Sequence, residues 1–75
     1  MATAETLDRI TLDLIRDTYL EAAQETLDRR GSKLTAHMEG TVAAAMYVAA
    51  AIGIEDEAAK RLVVQVVRGD AELTL

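Results

Sequence analysis

The sequence predicts an all-α protein, a bundle of three helices with an alanine-rich second helix in the middle. Three observations carry that expectation. Residues 40–54 hold no charged side chain and are rich in alanine, the strongest intrinsic helix former. Glycines at positions 31, 53 and 69 divide the chain into three segments, each the right length for a helix. A helix apolar on all sides must also be covered on all sides, which makes the alanine-rich stretch the centre of a packed bundle. With 75 residues it is read as a single domain spanning 1–75.

The first helix is expected from Ala4 to Arg29. Thr3 suits its N-cap, and Glu5 suits the positive end of the helix dipole. Apolar residues recur on two neighbouring stripes, Leu7–Ile10–Leu14 and Leu12–Ile15–Tyr19–Ala22, and Leu20, Ala23 and Leu27 widen the end. Such a drifting face suits a helix that touches two neighbours at different heights. Arg29 and Arg30 sit where a helix favours cations. Gly31 is placed at the left-handed residue after the helix.

Residues 31–35 read as a short connection, which favours antiparallel neighbours. Thr35 is expected to cap the second helix, Ala36 to Ile52. This helix is apolar all round and therefore needs cover all round. Gly40 in its interior costs up to about 1 kcal/mol relative to alanine, so it marks a close contact. Gly53 is the left-handed stop, with Ile54 as the apolar residue that follows.

The third helix is expected from Asp56 to Arg68. Glu55, Asp56 and Glu57 suit its start, Ala59, Leu62, Val63 and Val66 form its inward face, and Gly69 is read as another left-handed stop. The β-branched run Leu62-Val-Val-Gln-Val-Val67 also permits a short C-terminal β-hairpin in place of a full third helix. The last six residues are read as extended or loosely packed.

Composition limits the core. There is no Phe, Trp or Cys, so it rests on aliphatic side chains and Tyr19 and Tyr47, without disulfides. A small core of this kind points to a homodimer. A stripe of small residues on the second helix, Gly40, Ala43, Ala44, Tyr47 and Ala51, is the candidate dimer interface, because a two-fold contact needs a self-complementary face. The other reading of that stripe is a seam inside one chain.

The net charge of −5 is unevenly spread. Residues 1–28 hold seven acids against two bases, and residues 29–75 hold six of each. Asp13, Asp17, Glu21 and Glu25 repeat every four residues, and Asp28 continues the line. Like charges at that spacing weaken a helix by about 0.2–0.5 kcal/mol per pair, softened here by Arg9–Asp13, Asp13–Arg16 and Glu25–Arg29 pairs. These five acids are the candidate partner-binding residues. They suit a protein with a basic surface and disfavour direct nucleic-acid binding. The other reading is a solvated face.

No catalytic residues, metal site or cofactor are expected. His37-Met-Glu39 supplies only the His-x-Glu part of a deaminase zinc signature, whose cysteines are missing. Arg29, Arg30 and Lys33 form a small basic cluster, best explained by the helix end. No segment is long and apolar enough for a membrane span, and nothing reads as a signal peptide. A cytoplasmic location is therefore expected.

The expected function is binding without chemistry. The first reading is a small acidic inhibitor, of the anti-CRISPR or other anti-defence type that phages encode. Its first helix would occupy the basic nucleic-acid-binding groove of a target. The alternative is a homo-oligomerising module, antitoxin-like or an accessory subunit, that works through the second helix.

Overall fold

The computed structural model describes residues 9–70 and Leu73. Three helices follow one another: α1 (Arg9–Asp28), α2 (Lys33–Ile52) and α3 (Asp56–Arg68). Among the described residues there is no strand. The hairpin alternative is thereby overturned: α3 runs unbroken through the β-branched segment to Arg68. Its inward face, Ala59, Leu62, Val63, Val66 and Val67, is buried. Burial of that stripe outweighs the weak strand preference of valine. The expected caps at Thr3 and Glu5 lie outside the described residues.

α2 packs along α1 and against α3, whereas α1 and α3 touch each other little. The core gathers Ile15 and Tyr19 of α1, Ala44, Ala45 and Val48 of α2, the inward face of α3, and Leu73. Of the two stripes on α1, Ile15 and Tyr19 go inward with Ala23 and Thr26 behind them, while Ile10 on the other stripe is 79% exposed.

The connections differ from expectation in three places. Ser32, not Thr35, caps α2. Its Oγ accepts the Thr35 backbone N–H at 3.0 Å, so α2 starts earlier and the connection shortens. Arg30, not Gly31, takes the left-handed conformation, with φ +67°. Gly31 N–H then bonds Thr26 O, and Arg30 N–H bonds Leu27 O, each at 2.9 Å, which is the double bond pattern of a Schellman end. Gly31 is needed for space instead, since a Cβ there would stand 2.6 Å from Thr26 Cγ2. Gly69 is also not left-handed, with φ −85°. Tight turns follow it, with Asp70 N–H on Val67 O and Leu73 N–H on Asp70 O. They bring Leu73 into the core, where loose packing had been expected. Gly53 does take the left-handed form, with φ +68°.

Arginine in a left-handed conformation carries a steric cost of about 1–2 kcal/mol, which glycine avoids. Glycine loses more backbone entropy on folding, which offsets part of that gain. Arg30→Gly should therefore stabilise the protein by up to about 1 kcal/mol. Urea unfolding checks this; a lowered midpoint would contradict it.

Full cover of the alanine-rich segment is not what the chain achieves. Two neighbouring helices shield two sides of α2 and leave a third open. Leu34, Met38, Val42 and Met46 lie along that open side, with Met38 57% and Met46 67% exposed.

Candidate functional surfaces and the Tyr19–His37 pair

Asp13, Asp17, Glu21, Glu25 and Asp28 are all exposed. At 1.5 Å per residue they span about 22 Å of α1. They stand opposite Ile15, Tyr19 and Ala23, so the same 3.6-residue period that buries one stripe presents the other to water. The expected relief by nearby arginines does not occur. Arg16 Nε instead reaches Asp70 Oδ2 at 3.2 Å, because the turn after α3 brings that carboxylate over α1. Asp13 shares a groove there with Arg9, Arg16 and Asp70. Among the described residues, Asp17, Glu21 and Glu25 make no ion pair. Asp28 accepts a hydrogen bond from Gln24 Nε2 at 2.9 Å.

The five small-stripe residues do not share one surface. Gly40 and Ala44 are buried and Ala43 is half-buried, while Tyr47 and Ala51 are exposed. Gly40 lies against Tyr19 of α1, where a Cβ would come within 2.8 Å of the Tyr19 carbonyl oxygen. At Gly40 and Ala44 the stripe is therefore a seam inside one chain. Two tight backbones need small residues, and α1 supplies the second backbone. The side of α2 left for another molecule is the bulkier one, Leu34, Met38, Val42 and Met46. It borders a groove where Val42, Ala45 and Met46 meet Asp56 and Lys60 of α3. Apolar residues aligned on an open surface mark contact sites more often than scattered ones do.

Comparison with known proteins gives no relative. No family model matches the chain, no curated protein is similar to it, and no solved structure matches its fold.

A part-buried polar pair escaped the sequence reading. Tyr19 hydroxyl and His37 Nδ1 are 2.8 Å apart, and the rings meet edge to face with centroids at 5.8 Å. Residues 18 apart give no local spacing signal; the only sign was a tyrosine inside an aliphatic stripe. Burial removes solvent from the phenol and pushes its pKa above the ordinary 10.0. The hydroxyl therefore keeps its proton within its hydrogen bond to the imidazole.

That raised pKa has a consequence at alkaline pH. The unfolded phenol ionises near 10 and the folded one only above that, so the folded state binds more protons in between. Stability is fully present below about pH 10 and falls as pH rises beyond it. Tyr19→Phe should flatten that fall, read as the urea midpoint against pH from 9 upward. An equally steep fall in the variant would show that Tyr19 does not cause it.

Among the described residues no three metal-ligating side chains lie together. No single described helix is long and apolar enough to cross a membrane.

Proposed function

We propose that this chain is a non-enzymatic binding protein that inhibits a target by occupying a basic nucleic-acid-binding groove, an anti-CRISPR or other anti-defence protein in type. The carboxylate line of α1 is its contact surface. The observation that carries this reading is that all five acids are exposed along one side of α1, and none of the five makes an ion pair among the described residues. Mutual repulsion at i,i+4 costs α1 stability, and a row of Lys or Arg on a partner would offset it. Steps of about 6 Å between successive carboxylates are close to the spacing of phosphates along one strand, which such a groove is built to bind.

The test is capture of the target from the native host with the parent protein and with Asp17→Lys/Glu21→Lys. Both positions are exposed, so the variant should keep its circular dichroism spectrum and lose the target. Capture by the parent should also fade at high salt, because exposed charges are screened. Capture that is unchanged in the variant removes this reading.

A second reading has its own observation, the uncovered apolar side of α2. There the protein is a self-associating module, antitoxin-like or an accessory subunit, and the acids serve solubility. Sedimentation of Met38→Glu/Met46→Glu separates the two readings. A parent dimer that becomes a folded monomer supports self-association through this side. A parent that sediments as a monomer removes it.

A further inference from the structure

The three helices and Leu73 line one more feature, an open groove of about 340 Å³ at the start of α2. Tyr19 and His37 line it, joined by their hydrogen bond. Leu34, Val67 and Leu73 give it apolar walls, and Lys33 and Arg68 line it from α2 and α3. The side-chain chemistry of this lining is one-sided. Lys33 and Arg68 only donate hydrogen bonds. The Nδ1 of His37 is taken up by the phenol. Among the described residues no carboxylate lines this groove. Neither Lys33 nor Arg68 makes an ion pair among the described residues.

The placement of Lys33 sharpens the point. It is the first residue of α2, and no acid occupies that turn. A helix start is the end where its dipole disfavours a cation and favours an anion. Two cations and the positive end of a helix therefore flank a groove whose other described lining is aliphatic apart from the Tyr19–His37 pair.

We infer that this groove is a binding site for an aliphatic carboxylate, with the acid group held by Lys33 and Arg68 and the hydrocarbon against Leu34, Val67 and Leu73. Two cations attract any anion, but the walls select one that carries an apolar body. A small free acid and the C-terminal carboxylate of a peptide ending in an aliphatic residue share that chemistry. The site is separate from the acid line of α1 and shares Leu34 with the open side of α2, so it stands whether or not the acid line works as proposed.

Titration of isotope-labelled protein with hexanoate, N-acetyl-leucine and N-acetyl-leucinamide, followed by amide chemical shifts, tests it. Both acids should shift Leu34, His37 and Arg68 saturably, and the neutral amide should not. Tighter binding of N-acetyl-leucine than of hexanoate assigns the site to peptide C-termini, and the reverse order to free acids. Lys33→Gln/Arg68→Gln alters two exposed side chains and should leave the fold intact while weakening binding at least about tenfold, the effect of losing one charge-assisted hydrogen bond. Absence of a saturable shift with both acids, equal binding of the amide, or undiminished binding in the double variant would each overturn the inference.

Discussion

Gly40→Ala should destabilise the protein, although alanine is the better helix former. The propensity gain is about 1 kcal/mol. Against it stands a Cβ placed 2.8 Å from both the carbonyl oxygen and Cδ1 of Tyr19. The ring could swing aside, but the carbonyl belongs to the backbone of α1, so the two helices must separate. Overpacking of this kind costs about 1–3 kcal/mol, and separation also loosens Tyr19 from His37. A net loss of about 1–2 kcal/mol is expected for alanine, with a melting temperature lowered by roughly 4–16 °C for a domain of this size. Gly40→Val should go further and leave little folded protein, because total stability at this length is only about 4–11 kcal/mol. Thermal melts followed at 222 nm decide it; a raised melting temperature for Gly40→Ala would show that α1 and α2 are not in such close contact.

A second contrast lies two residues apart on α2. Ala44 is fully buried, while Met46 is 67% exposed. Ala44→Glu would place a carboxylate in the buried core cluster, whose described members are all apolar apart from the Tyr19 hydroxyl. Burying an unpaired charge costs several kcal/mol, so this variant should be largely unfolded at neutral pH. Met46→Glu should keep its helix content, with stability changed by about 0.5 kcal/mol or less. A folded Ala44→Glu protein would mean that the small-residue stripe faces outward after all. Ala44→Glu is thus a test of the monomer's core, and a change at Met46 is the test of self-association.

α3 was the most legible element. Its acidic start, its inward stripe and its last residue all follow from local spacing, and the structure keeps them. Elsewhere local rules offered two answers and long-range packing chose between them. Ser32 and Thr35 are both good caps, and the alanine run beginning at Ala36 drew attention to the wrong one. Arg30 and Gly31 are adjacent, and only the approach of Thr26 shows why glycine sits second. On α1 the 3.6-residue period identified two apolar stripes. Which is covered depends on where α2 lies, and α2 covers Ile15 and leaves Ile10 open. The acid line was legible in full as a spacing, but not the diversion of Arg16 to Asp70. Tyr19–His37 and the groove beside it join residues from every helix, and no window of sequence contains them.

The open side of α2 is also where this protein meets chemical ageing. Met38 and Met46 are exposed, within reach of peroxide without any unfolding, and among the described residues the buried core contains no sulfur. Sulfoxide formation would put polar, chiral groups on that surface while leaving the fold untouched. A fresh and an air-aged preparation would then melt alike yet differ in how readily they adhere to anything.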